Sequence, residues 1–173
     1  MVLVHGNSKV VLAALTMSAA SRQMLVMVTR ASGDMKKKLE AEGLNCELVE
    51  DMGVGVAMHK TDCVLLGAEG VVETGGVVNQ LGSYTVATVA RALGKPTYVM
   101  AESFKFVREY PLGQEDLPAE YLHHASVLAA KHGDCLPAPR VDYTPPSLIT
   151  LLFTDLGILT PSAVSDELIN LYL

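Results

Sequence analysis

The 173-residue sequence lacks the signatures of several large protein classes. Its 13 basic and 19 acidic side chains give a net charge of −6, which argues against a nucleic-acid-binding surface because such surfaces need clusters of Lys and Arg. The three cysteines are odd in number and widely spaced, so neither a disulfide framework nor a Cys-x-x-Cys metal site fits. No apolar run approaches the roughly 18 residues needed to span a membrane. We therefore expect no metal site and no direct contact with nucleic acid or membrane.

The five histidines show neither a His-Glu-x-x-His motif nor zinc-finger spacing, and we expect all of them at the surface. They are His5, His59, His123, His124 and His132. The apolar N-terminus resembles a signal peptide only superficially. Its hydrophobic residues begin before the first charge, and Gly6-Asn7-Ser8 interrupts them as a strand-to-helix turn does.

Half of the residues are hydrophobic and only 18% are charged, as expected for a sheet covered by helices. Short apolar runs alternate with helical patterns: a strand at Val2–His5, a helix from Lys9 to Ser21, a strand at Met24–Val28, a helix from Gly33 to Glu42. This order predicts an α/β fold with a doubly wound, mostly parallel, Rossmann-like sheet that carries helices on both faces. We expect residues 1–173 to form a single domain.

The central strand is predicted at Cys63–Leu66, which has no polar alternation and therefore suits a strand buried on both faces. Glu69 follows it, at the edge where open α/β sheets bind their ligands. We identify Glu69 as the leading candidate site residue. Glu102–Phe106 follows a later strand, Pro96–Ala101, and should lie on the same edge.

The residues after Glu69 are predicted to form a loop of about a dozen residues, because Gly70, Gly75 and Gly76 permit unusual backbone conformations. Asn79 or Ser83 is expected to cap the helix that follows. A glycine loop before a helix N-terminus can hold an anion, but the spacing matches neither Gly-x-Gly-x-x-Gly nor a Walker loop. A connection without any ligand therefore stays open as an alternative.

The last third of the sequence is less regular. Four prolines between Pro137 and Pro146 predict an extended surface segment, and Ser162–Leu171 predicts a final amphipathic helix that begins near Pro161. The apolar excess favours an oligomer or a partner protein. Leu148–Phe153 and the final helix are candidates for that contact, with core packing as the alternative for the first segment.

Several long motifs resemble the alpha subunits of eukaryotic translation initiation factor 2B. They are Gly67–Glu73, Asn79–Tyr84, Val99–Phe106, Asp142–Thr150 and Thr160–Leu168. In that family a Rossmann-like half follows an N-terminal helical domain, so the resemblance implies a C-terminal fragment.

The resemblance also implies a cytosolic, non-catalytic regulatory subunit of the guanine-nucleotide exchange factor for initiation factor 2. The implied partners are the other subunits of initiation factor 2B, a second copy in a homodimer, and initiation factor 2, especially with its alpha subunit phosphorylated. No cofactor is required.

The wider superfamily includes sugar-phosphate isomerases of the methylthioribose-1-phosphate isomerase type, which are the alternative function. Those enzymes carry Cys where Gly6 stands, Asp at Glu69, and an Asn-Lys pair at Asn79-Gln80. Gly6 supplies no thiol, Glu69 sets its carboxylate about 1 Å further out, and Gln80 brings no charge to a phosphate. We therefore expect no catalytic residues.

The resemblance still allows a sugar phosphate or a nucleotide to bind as an effector. Its pocket would be lined by Asn7, Ser8, Lys9, Glu69, Asn79 and Gln80. A third interpretation, a dinucleotide-dependent oxidoreductase, lacks the glycine fingerprint after the first strand and an acidic residue near the end of the second.

Overall fold

A computed structural model describes residues 1–118, 121 and 139–172. The strands of this part are β1 Val2–His5, β2 Leu25–Thr29, β3 Asn45–Val49, β4 Cys63–Leu66, β5 Gly70–Val72, β6 Val77–Gln80, β7 Thr97–Met100, β8 Phe106–Val107, β9 Val141–Thr144, β10 Leu151–Thr154 and β11 Gly157–Leu159. The helices are α1 Lys9–Ala19, α2 Gly33–Ala41, α3 Val54–Met58, α4 Ser83–Ala92 and α5 Val164–Tyr172.

The main sheet has seven strands in the order β11-β10-β7-β4-β1-β2-β3. Its pairings are parallel except for that of the edge strand β11 with β10. The strand order reverses beside β1, where a doubly wound sheet opens a crevice at the carboxyl ends of its strands. The predicted fold class is therefore confirmed, and β1, β2 and β4 are observed within one residue of their predicted ends.

Helices cover both faces of the main sheet. Apolar residues of α1 and α2, including Val11, Leu15 and Leu39, pack on one face against alternate residues of β1 and β2. Helices α3, α4 and α5 pack on the opposite face through residues such as Val86 and Leu168. Strands with apolar residues on both faces are buried in this way, which explains the continuous hydrophobic runs of the sequence.

Two parts of the sequence form a second sheet where a loop and a surface segment were predicted. Strands β5 and β6 are an antiparallel hairpin after Glu69, and they join β8 and β9 in the order β8-β5-β6-β9. The prediction of a loose loop was wrong because the valines of β5 and β6 are buried, and only the turn uses the freedom of glycine, with Gly75 at φ +81°. The predicted extended surface segment was also wrong at Val141–Thr144, where all four residues of β9 are buried.

The half of the main sheet formed by β7, β10 and β11 is only partly covered on the face that carries α1 and α2. The register pairs Phe153 with Met100 on β7 and with Ile158 on β11, so these side chains share that face. Tyr98 meets Phe153 edge to face, with ring centroids 5.5 Å apart. Ile158 is 64% exposed and Phe153 is half-buried, in contrast to the fully buried Leu152 on the opposite face. We refer to Tyr98, Met100, Phe153 and Ile158 as the open face.

The C-terminal helix is confirmed as α5, which follows a short 3-10 turn at Pro161–Ala163. His123, His124, His132 and Cys135 lie outside the described residues. In the part of the chain that the structure describes, no helix is both long and apolar enough to cross a membrane.

Candidate functional site

A cavity of about 420 Å³ lies at the carboxyl ends of the central strands. The structure brings all six predicted pocket residues to it. Its lining is Asn7, Ser8, Lys9, Ala68, Glu69, Asn79, Gln80, Glu102 and Lys105. These residues come from the ends of β1, β4, β6 and β7, so the topology gathers side chains that are far apart in the sequence.

The start of α1 forms one wall of the cavity. Ser8 is the N-cap, and its Oγ accepts a hydrogen bond from Val11 N at 3.3 Å. Lys9 is the first helical residue and is exposed, and the first turn carries no acidic side chain. Gly67 allows this approach, because a Cβ there would lie 2.4 Å from Ser8 Cβ. The wall therefore combines a lysine with the positive end of a helix.

Glu69 also lines the cavity and forms an ion pair with Arg140. The Arg140 Nη1 and Glu69 Oε2 atoms are 2.7 Å apart, and the side chains are 32% and 35% exposed. Glu69 N donates to Val78 O at 2.8 Å, which fixes the backbone of Glu69 to β6. Arg140 was not identified from the sequence, because its partner Glu69 is distant in the chain and the two residues directly precede different strands, β9 and β5.

Asn79 and Gln80 form the part of the wall contributed by β6. Asn79 Nδ2 donates to Ser83 Oγ at 2.9 Å, and Gln80 Nε2 donates to Ala31 O at 2.9 Å. Gly6, at φ +95°, approaches closely, since a Cβ there would lie 3.1 Å from Asn79 Nδ2. The backbone at position 6 thus suits glycine and resists a larger residue.

A second acid-base pair at the cavity, Glu102 and Lys105, was not assigned to the pocket from the sequence. Lys105 Nζ lies 2.7 Å from Glu102 Oε2. Burial acts to raise the pKa of Glu102, but the contact with Lys105 outweighs it and holds the pKa below its ordinary value. The signal that could have identified the pair is its position directly after β7, together with the three-residue spacing of opposite charges.

His5 is buried, which makes the prediction of a surface histidine wrong at this position. Its Nε2 lies 2.9 Å from Leu81 O and its Nδ1 lies 2.7 Å from Thr29 Oγ1. Because a carbonyl oxygen only accepts, Nε2 carries the proton of the neutral ring. Burial lowers the pKa of His5 and favours this neutral ring. Its ring also lies so close to Gly82, at φ +106°, that a Cβ there would be 2.8 Å from Cε1.

The start of α4 is capped by a distant carboxylate, and neither Asn79 nor Ser83 acts as the N-cap, contrary to prediction. Gly82 holds the N-cap position, and Asp142 Oδ2 accepts from Gly82 N at 2.7 Å and from Tyr84 N at 3.1 Å. Asp142 is 7% exposed, and its Oδ1 has no hydrogen-bond partner in the part of the chain that is described. Burial raises the pKa of Asp142 to about 6, against the effect of the two backbone donors.

The fold and the cavity define a doubly wound α/β protein with a polar pocket, rich in paired charges, at the carboxyl edge of its sheet. Within the described residues, no group of three or more His, Cys, Asp or Glu side chains could hold a metal ion. The model of the initiation factor 2 subunit family matches residues 1–161. The chain belongs to this family.

Curated relatives match nearly all of the chain. It is 46% identical over 187 residues to translation initiation factor eIF2B subunit alpha of Dictyostelium discoideum and 42% identical over 178 residues to the Caenorhabditis elegans protein of the same name. Each alignment covers 99% of this chain and 58% of the relative, so the chain spans well under two thirds of their length. A methylthioribose-1-phosphate isomerase of Desulforudis audaxviator is 36% identical over 132 residues, which cover 72% of this chain and 38% of the enzyme.

Two solved structures share the fold. The translation initiation factor eIF-2B of Pyrococcus horikoshii OT3 has a TM-score of 0.77 at 23% identity, over 92% of this chain and 58% of its own. The 5-methylthioribose 1-phosphate isomerase from the same organism also has a TM-score of 0.77, at 22% identity, over 99% of this chain and 54% of its own. One architecture therefore occurs in proteins whose names indicate different functions.

Proposed function

We propose that this chain acts as part of an alpha-type regulatory subunit of the exchange factor for initiation factor 2, in the cytosol. The observation that carries the proposal is the 46% and 42% identity to two eIF2B alpha subunits across 99% of the chain. The beta subunit of Schizosaccharomyces pombe is 28% identical over 93% of the chain, which favours the alpha type. The proposed partners are the other subunits of the factor and initiation factor 2, especially when its alpha subunit is phosphorylated.

Affinity capture from cytosol tests the assembly. The tagged chain is expected to retain the other subunits of initiation factor 2B, identified by mass spectrometry. Recovery of none of them would contradict the proposal and bring the isomerase alternative forward. In that case, incubation with methylthioribose 1-phosphate should yield a ketose that Glu69→Gln abolishes.

The geometry supports a role without catalysis. The isomerases that the sequence resembles carry a cysteine where Gly6 stands, and Gly6 combines a φ of +95° with close contact to Asn79. Glu69 is engaged by Arg140, and Gln80 is engaged by Ala31 O. These side chains can bind a ligand by hydrogen bonds, but the thiol and the lysine of the isomerase pattern are missing.

We also propose that the cavity binds a phosphorylated sugar as an effector. Lys9 and the N-terminus of α1 suit a phosphate at one side. The carboxylates of Glu69 and Glu102 are each neutralised by a neighbouring cation, so they can accept hydrogen bonds from hydroxyl groups without repelling an anion. A volume of about 420 Å³ is of the size that holds small ligands.

Calorimetric titration with ribose 5-phosphate tests the pocket. We expect saturable binding that Lys9→Gln weakens at least tenfold, since loss of a charge-assisted contact removes about 1.5 kcal/mol or more. Lys60→Gln is the matched control, because Lys60 is an exposed lysine that does not line the cavity. Equal affinity in Lys9→Gln and the wild type would contradict this placement of the phosphate.

The open face supports a homodimer, which we propose as the mode of self-association. It presents Phe153 and Ile158 on a half-sheet that α1 and α2 cover only in part, and apolar surface of this kind is typical of subunit contacts. Sedimentation velocity is expected to show a dimer that Ile158→Asp dissociates. Val56→Asp is the control, since Val56 is 77% exposed on α3, on the opposite face. A dimer that survives Ile158→Asp would place the contact elsewhere.

A further inference from the structure

We propose that Arg140 is a positioning residue: it holds the Glu69 carboxylate in place to accept a hydroxyl group, and so makes the cavity prefer a sugar phosphate to bare phosphate. This inference rests on the effector pocket proposed above. It assigns Arg140 to recognition of the sugar, although Arg140 does not line the cavity.

The contact between Arg140 and Glu69 leaves one carboxylate oxygen for a ligand. Arg140 Nη1 contacts Oε2 at 2.7 Å, and the backbone of Glu69 is fixed by its hydrogen bond to Val78 O. The remaining freedom of Glu69 is the rotation of its side chain, which a charged hydrogen bond restricts. Oε1 is the oxygen that we assign to the ligand hydroxyl.

Arg140 is itself fixed to the strand that carries other pocket residues. Its carbonyl accepts from Leu81 N at 3.0 Å, and the next residue, Val141, pairs with Gln80 in the antiparallel ladder of β6 and β9. Arg140, Glu69 and Gln80 therefore belong to one hydrogen-bonded frame.

The ion pair between Arg140 and Glu69 is better explained by the positioning of the Glu69 carboxylate than by a contribution to the stability of the fold. Both side chains are about one third exposed, and pairs with this exposure contribute little to folding. Direct binding of phosphate by Arg140 is disfavoured because Arg140 does not line the cavity. Lys9, at the start of α1, is better placed for the anion.

The test compares two probes, ribose 5-phosphate and inorganic phosphate, by calorimetric titration of the same variants. Arg140→Met is expected to weaken the binding of ribose 5-phosphate about tenfold and the binding of inorganic phosphate less than about twofold. Arg140→Lys should recover part of the loss. The double variant Arg140→Met with Glu69→Gln should bind ribose 5-phosphate no more weakly than Glu69→Gln alone, because residues that act through one another are not additive.

The outcomes separate this inference from the proposal beneath it. Equal weakening of both probes by Arg140→Met would mean that Arg140 contacts the phosphate, and additive losses in the double variant would mean that it acts independently of Glu69. Either result overturns the inference while the pocket stands. A wild-type chain that binds neither probe overturns both. Arg91→Met, an exposed change on α4 away from the cavity, is the matched control, and an unchanged thermal midpoint of Arg140→Met confirms folding.

Discussion

Replacing Asp142 by Asn tests how the fold tolerates a buried carboxylate. The native side chain caps α4 through Gly82 N and Tyr84 N, yet it is 7% exposed and its pKa is raised from the ordinary value of 3.8 to about 6. The folded state therefore binds this proton more tightly than the unfolded state does. Stability falls as pH rises from about 4 to about 6 and is constant above that range. The whole shift corresponds to about 3 kcal/mol.

Asp142→Asn retains an oxygen that can accept from the same two N–H groups, but it cannot ionise. The difference in unfolding free energy between the variant and the wild type should therefore grow in favour of the variant by about 2 kcal/mol between about pH 4.5 and pH 7.5. Urea unfolding followed by circular dichroism measures it, since the chain has no Trp. A difference that is flat across this range would refute the reasoning.

Asp155→Asn is the matched control with the opposite sign. Asp155 is exposed and accepts from Ser103 Oγ and Ser103 N, which hold its pKa below the ordinary value. A lowered pKa stabilises the fold above the ordinary value and loses this effect as pH falls. The difference between Asp155→Asn and the wild type should accordingly change with pH in the direction opposite to that of Asp142→Asn.

Three further substitutions test the packing of the fold and site. Gly75→Ala should destabilise the chain by more than about 2 kcal/mol in urea unfolding, because φ is +81° and a Cβ would lie 2.0 Å from Pro161 O; an unchanged midpoint would contradict the observed turn. Leu152→Ala should cost about 2–5 kcal/mol in the same assay, since Leu152 is fully buried, and a loss below about 1 kcal/mol would argue against its core position. Gly67→Ala should weaken the binding of ribose 5-phosphate by displacing Ser8, whereas Gly55→Ala, which has open space around its Cα, should leave the affinity unchanged. Equal affinities of the two variants would show that Ser8 is not part of the binding site.

The main sheet was predictable because its strands carry apolar residues on both faces and alternate with helical patterns. The second sheet was not, because β5 and β6 are short valine strands between glycines, and β9 lies among prolines. Their strand character comes from pairing with one another, which local sequence does not encode. Similarly, the position of Glu69 after β4 indicated the ligand edge, and the family resemblance supplied the other pocket residues, while the Arg140 contact and the Asp142 cap depend on the position of β9.

Nucleotide exchange on initiation factor 2 tests the central proposal most directly. GDP release would be followed with the reconstituted exchange factor in the presence and absence of this chain, using initiation factor 2 with and without phosphate on its alpha subunit. We expect inhibition by the phosphorylated factor to be strong with the chain and weak without it. Equal inhibition in both cases would contradict a regulatory role.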